Sequence, residues 1–258
     1  MNHEDEYHDA MVSLLELIWG EGFMAPGGKG NIAKLLDGLD LRGKNLLDIG
    51  CGLGGPALVM AGDYGAHVTG IDLEAHLIEQ ASKRAVTQGL DNQTEFITVK
   101  AGPLNFNNQS FDVVLTSGAL TQTADKSGLF AECYRVLRPG GTLTCYEWMK
   151  SPGEYSQAML HFFEMEGLTY ALETLPRFGE LLAAAGFIDI RLEDASDWYR
   201  REARREYELL KGPMYTRMVE LIGQKDGDHF VKDWRAMVAV CEAGELQQGY
   251  CRGTKTVS

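Results

Sequence analysis

The sequence predicts an α/β fold: a doubly wound, mostly parallel seven-stranded sheet with helical lid insertions. Three observations carry the prediction. An apolar strand, Leu46-Leu47-Asp48-Ile49, runs straight into Gly50-Cys51-Gly52-Leu53-Gly54-Gly55, and Pro56 opens a helix behind that turn. A second strand follows one helix later, from Ala66 to Ile71, and ends in Asp72. Strand patterns then go on alternating with helical ones, which implies parallel order with helices on both faces.

The elements follow in order. Met11, Leu14, Leu15 and Ile18 have helical spacing, so Tyr7–Trp19 reads as a helix. A glycine-rich loop over 20–30 leads to a helix at about Asn31–Leu39 and the first strand at Asn45–Ile49. Pro56–Tyr64 is a helix with proline at its tolerated first position. A helix through His76–Thr87, a third strand at Thr94–Val99, a fourth at Phe111–Thr116 and a helix at Lys126–Leu137 continue the alternation. Arg138-Pro139-Gly140-Gly141 turns the chain into a fifth strand, Thr142–Tyr146.

Beyond it the pattern changes. Residues 151–175 are rich in aromatics, methionine and acids, with a helix at Tyr155–Glu166. Helix Leu175–Ala185 stops at Gly186, a residue suited to the position after a helix end. Strand six is Phe187–Leu192; the charged stretch 194–224 holds a helix at Trp198–Leu210, broken at Gly212-Pro213. A helix at Phe230–Ala243 and a strand at Leu246–Cys251 close the chain. We read one domain over 1–258, with 1–44 as an N-terminal helical cover. Segments 151–174 and 194–245 are lids over the carboxyl ends of the strands, where open α/β sheets bind ligands.

Composition bounds the partners. The 258 residues are 45% hydrophobic, ample for a core, and carry a net charge of −13. Phosphate-backbone binding needs a basic surface, so nucleic acid is excluded as a partner. No apolar run approaches the ~20 residues of a membrane span, and the acidic start Met1–Glu6 is unlike a secretory signal. Five cysteines without a CxxC pair fit buried thiols in a reducing cytoplasm. The histidines lack metal-ligand spacing, so no metal is expected.

A Gly-x-Gly-x-Gly turn alone could serve a dinucleotide. Here Asp48 stands just before it, where its charge repels a pyrophosphate and suits an ammonium group. Asp72 can hold the two hydroxyls of a ribose. S-adenosylmethionine carries a ribose and an ammonium but no phosphate. The segment therefore resembles the first motif of the class I S-adenosylmethionine-dependent methyltransferases, whose domain is Rossmann-like. Arg138–Gly141 is similar to that family's turn into its fifth strand. The resemblance implies a cofactor site of Asp48, Gly50, Gly52, Gly54, Asp72, Leu73, Gly102, Pro103 and Ser117. Gly102-Pro103 stands where the family usually has an acid, with its backbone free to serve the base edge.

The resemblance also narrows. Tyr7, Trp19-Gly20-Glu21-Gly22-Phe23, Gly27-Gly28, the Asp48 motif, Tyr64-Gly65-Ala66-His67 and Gly249-Tyr250 together resemble the phosphoethanolamine and the sarcosine/dimethylglycine N-methyltransferases. In the phosphobase group a tyrosine on the N-terminal helix and a histidine after strand four form the catalytic pair. Tyr7 matches the tyrosine, but Gln122 stands at the histidine position and Gly118 at that of an acid. Leu168 falls where a lid arginine helps hold phosphate. An amide orients a nucleophile but takes up no proton near neutral pH, and His161, on the lid, is a candidate replacement base. Trp19, Glu147, Trp148, Tyr170 and Tyr250 form an aromatic and acidic candidate substrate site, of a kind that attracts cations. Arg252 is a candidate for holding a carboxylate or phosphate in a bidentate contact.

The leading expectation is methylation of an amine nitrogen on a small polar metabolite by a monomer or homodimer. Sulfur methylation of a methionine-like thioether is the alternative, motivated by Gln122 and Leu168. A non-catalytic S-adenosylmethionine-binding module is the third reading.

Overall fold

Strand β1, Asn45–Ile49, is the centre of the architecture. Its side chains alternate across the sheet: Leu46 packs among Ile32, Leu35 and Met60, while Leu47 and Ile49 pack among Phe130, Phe178 and Leu182. Asp48 shares the parity of Leu46. A strand apolar on both faces must be covered on both, and helices cover this one.

The computed structural model describes residues 9–257. Helix α1 is Asp9–Trp19 and α2 is Gly28–Leu35. After β1 come α3 (Gly55–Tyr64), β2 (His67–Asp72), α4 (Ala75–Gln88), β3 (Thr94–Thr98) and β4 (Phe111–Ser117). A 3-10 turn at Ala119–Thr121 precedes α5 (Lys126–Val136) and β5 (Leu137–Lys150). Then follow α6 (Gln157–Glu166), α7 (Leu175–Ala184), β6 (Ile188–Asp194) and α8 (Ser196–Leu210). The chain continues through α9 (Tyr215–Ile222), α10 (Gln224–Glu242) and β7 (Leu246–Thr254).

Seven strands form one sheet in the order β3-β2-β1-β4-β5-β7-β6. The first five pair in parallel, and β7 runs antiparallel between β5 and β6. Strand order reverses at β1, so the crevice beside its carboxyl end is where such sheets bind ligands. Strand β5 continues past the end of β4: Ser117 pairs with Tyr146, yet β5 remains paired with β7 as far as Lys150. That extension carries Trp148 into a third hydrophobic core, built by Leu14 and Leu15 of α1, Phe162 of α6, Tyr199 of α8 and Trp234 of α10. These helices form a cap beside the carboxyl edge. Among the described residues no helix is long and apolar enough to cross a membrane.

Several bounds differ from those expected. Helix α2 starts at Gly28, after Gly27 in the left-handed region, and stops at Leu35, where Arg252 takes the carbonyls of Leu35 and Asp37. Strand β5 starts at Leu137, which pairs with Phe111, and β6 reaches Asp194, which pairs with Gly249. Strand β7 extends to Thr254 through its antiparallel pairing with Thr142. Helix α10 begins at Gln224, six residues before the expected start, and α9 occupies part of the charged stretch.

The turn after β1 is sterically closed to side chains. Gly50 has φ +69°, and a Cβ there would lie 2.2 Å from the Ala119 Cβ. Gly55 donates its N–H to the Gly22 carbonyl at 3.0 Å, leaving no room for a side chain. Gly50→Ala should therefore lower stability by about 2–4 kcal/mol, from left-handed strain and overpacking together. Urea unfolding checks this; an unchanged midpoint and slope would contradict the packing.

Candidate functional site

The site grows from the carboxyl ends of β1, β2 and β4, neighbours in the sheet. The amides of Gly50 and Cys51 both donate to the Ile71 carbonyl, at 2.8 and 3.0 Å, which folds the glycine turn toward β2. Gly52 N–H donates to Asp72 Oδ2 at 2.8 Å, and Glu74 N–H to Oδ1 at 3.0 Å. Two backbone donors thus fix the Asp72 carboxylate and leave each oxygen a further lone pair. Leu73, next to it, is 58% exposed, an unusual apolar surface at the rim. Gly102 and Pro103 lie exposed in the loop after β3, and Ser117 closes β4. The residues expected to bind a nucleoside thus stand at the carboxyl ends of β1, β2 and β4 and in the loop after β3.

Asp48 is the electrostatic centre. It is 1% exposed, and its Oδ2 has no hydrogen-bond partner among the described residues. Burial first, and the neighbouring Asp72 second, push its carboxyl up to about 7. A buried carboxylate without a donor is costly, so this oxygen fits a cationic donor arriving from outside.

On the acceptor side the residues separate. Glu147 is wholly buried: Thr116 Oγ1–H donates to Oε1 at 2.5 Å and Leu120 N–H to Oε2 at 3.0 Å. Burial pushes its carboxyl up to about 7 against those two bonds. It fastens the 3-10 turn from behind, and Gln122, at the end of that turn, is half-buried. Ala171 N–H donates to the Thr121 carbonyl at 2.9 Å, and Lys126 Nζ donates to the carbonyls of Thr123 and Ala171. Tyr170 is thereby tied to the turn that carries Gln122, and its ring stacks on Phe163 at 4.1 Å. Trp148 meets Tyr199 edge-on at 4.8 Å.

Trp19 packs against the same cap core as Trp148 and Tyr170, and the remaining expected members make other contacts. Trp19 donates its indole N–H to Glu206 Oε1 at 2.7 Å. The Tyr250 hydroxyl donates to Asn31 Oδ1 at 2.6 Å, beneath Lys34 Nζ at 4.0 Å from the ring. Arg252, paired with Thr144 well before the end of β5, spends its guanidinium on the end of α2. His161 is on the exposed side of α6, whereas Met159 and Phe162 point inward. Tyr7 lies outside the described residues. Among those described, no group of three or more His, Cys, Asp or Glu could hold a metal ion.

Sequence reasoning missed Glu206. It is 1% exposed and accepts the indole N–H of Trp19 and of Trp234, the latter at 3.2 Å. The signal was present: Tyr199, Ala203, Glu206 and Leu210 recur at helical spacing and form the buried stripe of α8. Burial pushes the Glu206 carboxyl from 4.5 up to about 7, against both indole bonds. The folded chain thus keeps a proton that the unfolded chain has released, so this contribution to stability is full below about pH 4.5 and is lost as pH rises through about 7. Glu206→Gln removes that titration and keeps an acceptor oxygen. Urea unfolding at about pH 5 and about pH 8 should show the variant gaining on the parent by ~1 kcal/mol or more as pH rises. A difference independent of pH would contradict the assignment.

A family model described as a methyltransferase domain matches residues 47–145, from β1 into β5. Phosphoethanolamine N-methyltransferase of Triticum aestivum is 30% identical over 97% of this chain and 49% of its own length. That of Plasmodium falciparum is 25% identical over 97% of this chain and 94% of its own. The solved structure of Haemonchus contortus phosphoethanolamine N-methyltransferase 2, with phosphomonomethylethanolamine and S-adenosylhomocysteine, superposes with a TM-score of 0.90. It is 25% identical and covers 98% of this chain and 59% of its own. The chain spans about half the length of the plant relatives it matches. The chain thus carries a match to a methyltransferase domain over residues 47–145 and resembles the phosphoethanolamine N-methyltransferases over nearly all its length.

Proposed function

We propose that the chain is an S-adenosylmethionine-dependent methyltransferase acting on the nitrogen of a small amine of the phosphobase class. The observation that carries this reading is the unpartnered Oδ2 of Asp48 beside the glycine turn. An ammonium is the donor that this buried acid lacks, and the Asp72 carboxylate beside it has lone pairs left for ribose hydroxyls. Leu73 offers an apolar face for an adenine, and the backbone at Gly102-Pro103 its edge. When bound, S-adenosylmethionine supplies an already activated methyl group.

The chain's own work is then positional. In-line transfer needs the acceptor nitrogen held close to the methyl, with water kept away. Glu147 and Thr116 fix the turn that presents Gln122, and the Gln122 amide accepts or donates a hydrogen bond without moving a proton. Tyr7 is the residue we assign to positioning the nitrogen, by its match to the family's tyrosine. Tyr170 and Trp148, on the cap side, exclude water and offer ring faces to a cationic product. We place the protein in the cytoplasm as one domain with a lid, as monomer or homodimer; its five buried thiols fit a reducing compartment.

Gln122 also favours a second reading. A thioether needs no base, so sulfur methylation is the alternative for the same crevice. Purified protein incubated with methyl-labelled S-adenosylmethionine and a panel of phosphoethanolamine, its methylated forms, glycine derivatives and methionine-like thioethers separates them. We expect label on a phosphobase or another small amine. Label only on thioethers would replace the nitrogen reading, and tight cofactor binding with no transfer would leave a binding module.

A further inference from the structure

A groove of about 460 Å³ lies between α2 and α8, on the sheet face that carries Tyr146 and Tyr250. It shares no lining residue with the glycine turn, the Asp72 loop or the Ser117–Gln122 segment. Its size falls within the range of small-molecule sites, about 300–1,000 Å³.

Three aromatic side chains wall it: Trp19, Trp198 and Tyr250. Asn31 also lines it and is only 5% exposed. Its Oδ1 accepts the Tyr250 hydroxyl, but Nδ2 has no partner among the described residues. A buried amide donor left unpaired is destabilising and calls for an acceptor.

The charges at the rim choose the sign of that acceptor. Lys34 and Arg205 line the groove, and both are about half exposed. Lys34 pairs with Glu193, and Arg205 grips Glu202 through Nε and Nη2, both at 2.7 Å. Exposed pairs of this kind contribute little and re-partner easily. Glu202 is the acid in the lining, and Arg205 already occupies it. Lys34 sits on the Tyr250 ring, so an incoming cation meets a like charge there. The open valence is the buried Asn31 donor, and the two cations beside it are held only by exposed pairs.

We propose that this groove is a second ligand site, separate from the methyl-transfer crevice, and that it takes an aromatic carboxylate. The ring lies among Trp19, Trp198 and Tyr250. The carboxylate accepts from Asn31 Nδ2 and is neutralised by Lys34 and Arg205.

Calorimetric titration of the full chain with indole-3-acetate tests this, with indole and acetate as the ring-only and charge-only probes. Indole-3-acetate should bind saturably, at least about tenfold more tightly than either control. Saturating S-adenosylhomocysteine should leave its affinity unchanged. Asn31→Asp keeps the Tyr250 hydrogen bond and puts a negative charge where the donor stood. The double variant Lys34→Glu/Arg205→Glu changes only exposed side chains. Each should weaken binding about tenfold or more, with circular dichroism and melting temperature as the check on folding. Absence of saturable binding, displacement by S-adenosylhomocysteine, or unchanged affinity in the folded variants would overturn the proposal. Because the readout is binding and not turnover, its failure is distinct from failure of the methyltransferase reading.

Discussion

Asp48 is buried at the end of the central strand with one oxygen unpartnered, and the surrounding structure depends on how that arrangement is held. The glycine turn beside it is packed too closely to accept side chains. Gly50 presses against Ala119, Gly55 against the Gly22 carbonyl, and Gly54 against Ala81 and Phe96. Each contact fixes part of a crevice: Ala119 brings the β4 side in, Gly22 the N-terminal loop, and Ala81 the α4 side. A cost of this kind persists when the surrounding packing over-determines it, and such places are where ligands bind.

The cap repeats the same physics in another layer. Glu206 joins the α1 and α10 indoles through α8, so one buried carboxyl ties three helices. Glu166 and Asp233 are also pushed up by burial, Glu166 further by its neighbour Asp233. Carboxyls raised in this way keep their protons in the folded chain and act in the aromatic cap as hydrogen-bonding groups. Leu168 stands where the resemblance places a lid arginine, and Arg252 is committed to the end of α2.

Much of the fold was legible because local pattern and tertiary role agree. The bounds of β1 match the apolar run, and Pro56 and Asp72 stand where a helix start and a strand end require them. The glycine turn was legible for the same reason: its glycines act through backbone conformation, which residue type reports directly. The acceptor side was not. Whether Glu147, Tyr250 or Arg252 faces a crevice depends on strand parity and on which helix end lies nearby, and a single sequence gives neither. Antiparallel pairing set the ends of β6 and β7, again a long-range effect. Glu206 was legible in principle, from the buried stripe of α8, but its charge concealed it within a charged run.

The central claim is that Asp48 is reserved for an ammonium. Calorimetric titration with S-adenosylhomocysteine, which has that group, and with methylthioadenosine, which lacks it, tests the claim on the parent and Asp48→Asn chains. The substitution should weaken S-adenosylhomocysteine about tenfold or more and leave methylthioadenosine within about twofold. In the parent, affinity for S-adenosylhomocysteine should rise as pH passes about 7, where the Asp48 carboxyl releases its proton, and the variant should lose that dependence. Equal weakening of both ligands, or of neither, would contradict the account.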